Sequence, residues 1–261
     1  MAADPGVDVR RPRRIDVALA LAAVVAVGGL GAALRPQYTP VATVSPSAAE
    51  VPRPQLSPPT RPTALVIGDA YTSGSGLAET SYWCAAATRM GWLCKLAAEP
   101  GTGYISGGTA NRFPIDQGTG KSTSFGERIP NLGATYKPDV VILDGGRNDM
   151  FAPPGTRFEV TASAIWQAHQ TWPNARLVYV QPRFLTRPGD DLGVNAETVD
   201  RLKEASGVKD LVVIDPILTF KDTDTKALIS PDGTNPNREG EQALASALAK
   251  SLASSGIPPA T

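Results

Sequence analysis

The sequence predicts a three-layer α/β/α fold built around a five-stranded, mainly parallel sheet. From Thr63 to about Gly256, short apolar runs alternate with segments of helical periodicity, which is the pattern of successive βαβ units. The apolar runs are continuous rather than alternating with polar residues, as expected of strands that helices cover on both faces. With 261 residues, the chain is long enough for one sizeable core with appendages.

Five apolar runs are the candidate strands: Ala64–Gly68, Trp92–Leu96, Val140–Asp144, Arg176–Gln181 and Leu211–Asp215. Four segments have helical patterns: Thr80–Met90, Arg157–Thr171, Asn195–Ser206 and Arg238–Ser254. In the last of these, apolar residues recur at helical spacing, so this helix is expected to pack on the sheet.

The stretch Glu99–Tyr136 is rich in Gly, Thr and Ser and has no long periodic segment. We interpret it as either a substrate-side loop or a floppy excursion. Within it, Gly118–Ser122 is similar to the end of a phosphate-binding loop, but the first glycine of that motif would fall at Ile115 and no strand precedes it. We therefore expect no nucleotide there, and no cofactor or metal elsewhere.

The first 62 residues are expected to lie outside the folded domain. Residues 1–14 carry an arginine cluster, and Ile15–Leu34 has Asp16 as its only charge and is long enough to cross a bilayer core. We interpret this segment as a transmembrane anchor at the cell membrane that leaves the rest of the chain outside. The alternative is a signal peptide, with Gly31-Ala32-Ala33 as the small-residue cleavage site, and a secreted protein.

Residues 35–62 hold eight of the 24 prolines and should form a spacer, because proline disrupts both helices and central strands. Residues 63–256 are the predicted domain and residues 257–261 a tail. The 25 basic and 25 acidic residues balance, so nucleic acid is not an expected partner.

Cys84 and Cys94 are the only cysteines. Cys84 falls on the helix Thr80–Met90, and Cys94 falls on the strand that turns back along it. A disulfide is geometrically reasonable in an exported domain. Two reduced core cysteines are the alternative.

Four short blocks fall where open parallel sheets bind ligands, outside the carboxyl ends of the strands. They are Gly68-Asp69-Ala70, Pro100-Gly101-Thr102-Gly103, Gly145-Gly146-Arg147-Asn148-Asp149 and Asp232-Gly233-Thr234-Asn235-Pro236-Asn237. Any one block is a weak signal, because Gly-Asp and Asn-Asp pairs are common in turns. Four blocks in this order, each in its expected place, form a specific pattern.

From about Ala64 to Leu252 the chain resembles the SGNH, or GDSL-type, hydrolase family. The resemblance implies a nucleophilic serine at position 70 and a proton-accepting histidine at position 235, oriented by Asp232. It also implies oxyanion donors at the N–H of residue 70, at a glycine N–H and at the Asn148 side chain. The glycine is Gly101 or, less well matched, Gly103. Asp69 and Asp149 are supporting residues in the matched blocks.

The chain departs from the family pattern at both reacting positions. Ala70 offers a methyl group where acyl transfer needs a nucleophile, and the Asn235 amide cannot accept a proton near neutral pH. The prediction is a degenerate hydrolase whose remaining donors bind an acylated glycan, a lipid or another ester ligand, or a partner, at the cell envelope.

Two alternatives stay open. One is an active esterase or acyltransferase with an unconventional nucleophile, drawn from Thr72, Ser73 and Ser75 with a carboxylate as base. The other is an envelope scaffold with a vestigial pocket. His169, the only histidine, is predicted at the amino ends of the strands, opposite the site.

Overall fold

The computed structural model describes residues 61–74, 81–115 and 120–260. The main sheet contains β1 (Thr63–Gly68), β2 (Leu93–Ala98), β5 (Val140–Asp144), β6 (Arg176–Val180) and β7 (Val212–Ile214). Their order is β2-β1-β5-β6-β7, and all four neighbouring pairs are parallel. The predicted five-stranded parallel sheet is therefore confirmed. A separate antiparallel ribbon consists of β3 (Pro114–Ile115) and β4 (Gly120–Lys121).

The α-helices of the described residues are α1 (Ala70–Ser73), α2 (Tyr82–Arg89), α3 (Phe125–Thr135), α4 (Pro154–Thr171), α5 (Ala196–Ser206) and α6 (Arg238–Ser254). Short 3-10 segments lie at Arg147–Asp149, Ile217–Phe220 and Lys226–Leu228. The bounds predicted for β5 and α6 match residue for residue, and the other predicted elements shift by a few residues at their ends.

The two faces of the sheet bury separate apolar layers. On β1, Ala64 and Val66 pack with side chains of α2 and α6, whereas Leu65 and Ile67 pack with side chains of α3, α4 and α5. All four of these residues are fully buried. Because successive side chains of a strand point to opposite faces, a strand covered on both faces must be apolar at every position.

The sheet order sets the position of the candidate site. The chain moves from β1 to β2 at one edge and then returns to place β5 on the other side of β1. The loops after β1 and β5 therefore diverge and leave a crevice at their carboxyl ends, where ligands bind in open α/β sheets. Two of the four sequence blocks, Gly68-Asp69-Ala70 and Gly145–Asp149, occupy these loops.

The interpretation of Glu99–Tyr136 as a loop without regular structure was wrong. The segment contains the ribbon β3–β4 and helix α3. Ser124 and Glu127 form a capping box at the start of this helix, and Phe125 and Ile129, four residues apart, are fully buried. Glycines and the internal Pro130 mask this pattern in the sequence, and packing on the sheet overrides their poor helix propensity.

The disulfide prediction is confirmed. Cys84 on α2 is bonded to Cys94 on β2, with their Cα atoms 5.2 Å apart. The bond ties the helix to an edge strand of the sheet.

At the C-terminus, Ile257 is buried and the Ala260 N–H donates to the Met90 carbonyl oxygen at 2.8 Å.

Among the described residues, no helix is both long and apolar enough to cross a membrane. The predicted anchor Ile15–Leu34 and all but the last two residues of the predicted spacer at 35–62 lie outside the described part of the chain.

Candidate active site

The turn after β1 places Ala70 at the first position of α1. Asp69 caps this helix, and its buried carboxylate accepts hydrogen bonds from the N–H groups of Tyr71 (2.9 Å) and Thr72 (3.3 Å). Gly68 is required here, because a Cβ would lie 2.3 Å from Thr72 Oγ1. The Ala70 N–H donates to no other described residue. Among the described residues, this N–H therefore has no acceptor, and it lies beside a methyl group.

A buried charge network that sequence reasoning missed lies beneath this turn. The side chains of Asp144 and Arg147 are 0% and 2% exposed, and Arg147 Nη2 donates to Asp144 Oδ1 at 2.9 Å. Arg147 Nη1 lies 3.6 Å from Asp69 Oδ2. The other Asp144 oxygen accepts hydrogen bonds from the Tyr82 hydroxyl, Trp83 Nε1 and Thr72 Oγ1. The network joins the loops after β1 and β5 to the start of α2.

This network contains two carboxylates and one guanidinium. Burial raises the pKa of Asp69 to about 6; the Arg147 charge opposes this shift and the Asp144 charge reinforces it. Burial, with the adjacent Asp144 carboxylate, also raises the pKa of the Tyr82 hydroxyl, which stays protonated at neutral pH. Asp69 therefore takes up a proton at mildly acidic pH.

Asp149 positions the loop after β2. Its buried carboxylate accepts hydrogen bonds from the N–H groups of Tyr104 (2.8 Å), Ile105 (3.1 Å) and Ser106 (2.7 Å). Gly103 allows this close approach, because a Cβ there would lie 2.4 Å from Asp149 Oδ1. The Gly103 N–H donates to the Ser106 carbonyl oxygen at 3.0 Å, so it is engaged within the loop.

Gly101 and Asn148 differ in how much of their hydrogen-bonding capacity is free. The Gly101 N–H donates to no other described residue, and the residue has a left-handed φ of 74°. Asn148 Nδ2 donates to the Thr102 carbonyl oxygen at 2.9 Å and lies 3.5 Å from Asp69 Oδ2. Both amide hydrogens of Asn148 are thus directed at protein acceptors, and this side chain links the loops after β1, β2 and β5.

The last block forms a compact turn around Asp232. Asn235 Nδ2 donates to Asp232 Oδ2 at 2.7 Å. Asp232 Oδ1 accepts from the Ser230 hydroxyl (2.7 Å) and from the N–H groups of Thr234 (2.8 Å) and Asn235 (2.9 Å). These hydrogen bonds, the Ser230 bond foremost, lower the pKa of Asp232. Asp232 is therefore a stable carboxylate that orients the side chain three residues after it.

The Asp232–Asn235 turn and the Ala70 turn are linked through Tyr82, at the carboxyl ends of the strands. Tyr82, whose hydroxyl contacts Asp144, also donates its backbone N–H to Glu241 Oε2 at 2.7 Å. Glu241 is in the first turn of α6, directly after the last block. Among the described residues, no hydrogen bond joins the two turns.

The hydroxyl side chains considered as alternative nucleophiles, and the histidine predicted to lie opposite the site, are placed as follows. The Ser73 hydroxyl donates to the Ala70 carbonyl oxygen at 3.0 Å, and Thr72 is buried within the charge network. His169 lies in the last turn of α4, ahead of the amino end of β6. Ser75 is outside the described residues.

In the described part of the chain, no group of three or more potential ligand side chains is arranged to hold a metal ion.

The arrangement resembles an acyl-transfer centre in its backbone but not in its reacting groups. A carboxylate orients a neighbouring side chain, and the N–H groups of Ala70 and Gly101 have no acceptor in the described part of the chain. The group that Asp232 orients is an amide, which cannot act as a proton acceptor near neutral pH. The position next to the free N–H is a methyl group.

The chain matches the model of a known protein family. The model of the GDSL-like lipase/acylhydrolase family matches residues 66–243. No curated protein sequence matches the chain.

Solved structures with the same fold include two family two carbohydrate esterases. That from Clostridium thermocellum, in complex with cellohexaose, is 17% identical with a TM-score of 0.57, covering 76% of this chain and 66% of that one. That from Cellvibrio japonicus is 18% identical with a TM-score of 0.55, covering 76% and 62%. The chain thus spans just under two thirds of the length of these enzymes.

A lipolytic G-D-S-L family member from Veillonella parvula is 16% identical with a TM-score of 0.51, covering 73% of this chain and 98% of that one. At these identities the neighbours establish the fold alone.

Proposed function

The chain belongs to the GDSL-like lipase/acylhydrolase family, and we propose that it is a member that binds an acyl-bearing ligand without cleaving it. The ligand class is an acylated glycan or lipid of the cell envelope. The N-terminal segment Ile15–Leu34 anchors the protein in the membrane with its domain outside.

The single observation that carries this proposal is the hydrogen bond from Asn235 Nδ2 to Asp232 Oδ2 at 2.7 Å. The carboxylate still orients the side chain at the base position, but that side chain has no basic nitrogen. Ala70 correspondingly has no atom to deprotonate. Acyl transfer needs both groups, since triad members act as a unit.

The binding function rests on donors that side-chain replacement does not remove. The N–H groups of Ala70 and Gly101, which donate to none of the described residues, bind the carbonyl oxygen of the acyl group, in the way that an oxyanion hole does. Asn148 positions the loops and contributes to binding if Nδ2 exchanges its Thr102 acceptor for the ligand. The glycan is favoured as the carrier of the acyl group because one structural neighbour is a carbohydrate esterase solved with cellohexaose.

Hydrolysis is tested with short-chain nitrophenyl esters and a fluorophosphonate probe on the full-length protein. We expect turnover no faster than that of the denatured protein, and no covalent labelling. Ester turnover above this control, or stoichiometric labelling of Ser73 or Ser75, contradicts the proposal and supports an active esterase.

Binding is tested with a cello-oligosaccharide in acetylated and unacetylated form, followed by calorimetry. Ala70→Pro removes the N–H at the first helical position, where proline is well accommodated, and adds two ring carbons; Asp69 has an extended backbone (φ −109°, ψ −162°) rather than the helical one that a following proline disfavours. We expect the preference for the acetylated ligand to be lost in Ala70→Pro and kept in Ala70→Ser. Equal preference in both variants argues against binding through this N–H.

A further inference from the structure

A buried arginine of helix α3 contacts the ends of two strands and the loop that carries Gly101. Arg128 is 7% exposed. Its Nη1 donates to the Ala97 carbonyl oxygen on β2 at 2.8 Å, and its Nη2 donates to the Gly68 carbonyl oxygen at the end of β1 at 3.2 Å. Nη2 also donates to the Thr102 hydroxyl oxygen at 2.9 Å. One guanidinium therefore joins three segments at the carboxyl ends of the strands.

The charge of Arg128 is not explained by an ion pair. Its hydrogen-bond acceptors among the described residues are two carbonyl oxygens and one hydroxyl, and none of the ion pairs in that part of the chain includes it. The guanidinium lies 4.8 Å from the centroid of the Phe125 ring. Burial lowers the pKa of Arg128 to about 10, so it stays charged at neutral pH. Because burying a cation without a hydrogen-bonded carboxylate costs free energy, packing alone does not account for an arginine here.

Two of the three segments that Arg128 joins carry the N–H groups proposed to bind the acyl carbonyl oxygen. Gly68 lies two residues before Ala70, and Thr102 directly follows Gly101. The distance between the two N–H groups thus depends on how the loop after β2 lies against the end of β1. Arg128 spans this junction, since the same Nη2 atom donates to Gly68 and to Thr102.

Thr102 connects Arg128 to the other groups of the site. Its carbonyl oxygen accepts the hydrogen bond from Asn148 Nδ2 at 2.9 Å. The carbonyl oxygen of Gly101 accepts from the Ser106 hydroxyl at 2.8 Å. The peptide group between Gly101 and Thr102 is therefore held from two sides, by Ser106 and by the side chain that Arg128 binds.

We propose that Arg128 is a positioning residue that holds the Gly101 N–H at the spacing from the Ala70 N–H that a single carbonyl oxygen needs. The inference rests on the proposed function and identifies the side chain that sets the geometry of its two donors. Arginine suits this role because the two Nη atoms of its planar group bind different acceptors at fixed angles, whereas lysine has one nitrogen on a flexible stem. A displacement of about 1 Å is enough to weaken an interaction that depends on such geometry.

The test compares binding of the acetylated and the unacetylated cello-oligosaccharide to the full-length protein in neutral detergent. The measured quantity is the ratio of the two affinities, which a smaller folded fraction does not change because it reduces both titrations equally. Arg128→Met should lower this ratio by about fivefold or more and keep the affinity for the unacetylated ligand within about twofold. Arg128→Lys should lower the ratio less. An unchanged ratio in folded Arg128→Met would overturn the inference and leave the proposed function standing.

Arg183→Met is the matched control. Arg183 is similarly buried, at 6% exposed, and its Nε donates to Asp215 at 2.7 Å rather than to the segments that carry the two N–H groups. This variant should also destabilise the protein, but it should keep the affinity ratio within about twofold. An equal fall of the ratio in Arg128→Met and Arg183→Met would assign the effect to general loss of stability and refute the inference.

Two variants of Thr102 keep the inference testable if Arg128→Met does not fold. Thr102→Val removes the hydroxyl that accepts from Arg128 and donates to the Glu99 carbonyl oxygen, whereas Thr102→Ser keeps it. The valine variant should lower the affinity ratio and the serine variant should not. Equal ratios in the two folded variants would contradict a role for this contact in positioning.

Hydrogen exchange tests the inference without a ligand. The Thr102 N–H donates to the Glu99 carbonyl oxygen at 3.3 Å, and Val141 is fully buried in β5, so its amide reports unfolding of the sheet. The exchange rate at Thr102 relative to Val141 should rise about tenfold or more in Arg128→Met and stay within about twofold in Arg183→Met.

This measurement separates the two proposals. A wild type that does not prefer the acetylated ligand would overturn the proposed function, whereas a raised relative exchange rate in Arg128→Met would still support Arg128 as the residue that orders the donor loop. An unchanged relative rate would overturn the positioning role, whatever the wild type binds.

Discussion

Replacing Arg147 by methionine should strongly destabilise the protein, because Arg147 is the cation that faces two buried carboxylates. The substitution keeps most of the apolar volume and removes the charge. It breaks the 2.9 Å hydrogen bond to Asp144 and the 2.8 Å hydrogen bond from Nε to the Arg183 carbonyl oxygen. It also removes a guanidinium that stacks 4.5 Å from the centroid of the Tyr71 ring.

The expected loss is about 3–5 kcal/mol at pH 7, the range for removing one partner of a buried ion pair and leaving the other uncompensated. The lost hydrogen bonds and stacking are contained in that figure, because contributions within one network are not additive. At pH 5 the loss should be smaller by more than about 1 kcal/mol, because Asp69, with a pKa of about 6, is then largely protonated and needs less compensation.

Urea denaturation at the two pH values, followed by tryptophan fluorescence, measures both quantities, and Trp83 reports directly because its Nε1 donates to Asp144 at 2.6 Å. Arg187→Met is the control; its exposed ion pair with Asp190 should contribute less than about 0.5 kcal/mol. A loss below about 1 kcal/mol in Arg147→Met, or one that does not depend on pH, would refute the assignment of this network as a buried, charge-coupled unit.

Three further predictions concern the same region. Ala70→Ser combined with Asn235→His should restore measurable ester hydrolysis, whereas either change alone restores little, because serine and base act as a unit. In the wild type, the raised pKa of Asp69 should make stability fall as pH rises from about 4 to about 6, by about 3 kcal/mol. Asp69→Asn should remove this contribution and leave that of Glu241, whose pKa burial raises to about 7. Gly103→Ala should destabilise the protein by more than about 2 kcal/mol, since its Cβ would meet a carboxylate oxygen at 2.4 Å, while Gly155→Ala, which has open space around it, should not.

Nitrophenyl ester turnover tests the first of these predictions, and a folded double mutant no faster than the single mutants would show that the site has drifted further than two residues. Urea midpoints across pH 4–7 test the second; a slope unchanged in Asp69→Asn would assign the pH dependence to other groups. Thermal unfolding of the two glycine variants tests the third, and equal stability would mean that the loop after β2 yields without cost.

The sequence alone was sufficient for the features that depend on local pattern. The continuous apolar run Val140–Asp144 identified β5 because a strand buried on both faces has no polar position. The bounds of α6 followed from the helical spacing of its apolar residues, which one face must bury. Each of the four blocks could be assigned to a turn at a strand or helix end, because the residues that form a turn act locally. Ala70 and Asn235 were identified as the reacting positions by the resemblance of these blocks to those of the SGNH family.

Tertiary structure alone decided the features that depend on residues far apart in the chain. Asp144 meets Tyr82 and Thr72 across 62 and 72 positions, and Asp149 holds a loop 43 to 45 residues before it. Nothing in the local sequence distinguishes these carboxylates from exposed turn residues, because their roles are set by burial and by hydrogen-bond partners that only the fold assembles. Helix α3 belongs here too, since packing of Phe125 and Ile129 on the sheet outweighs the glycines and the proline that obscure it.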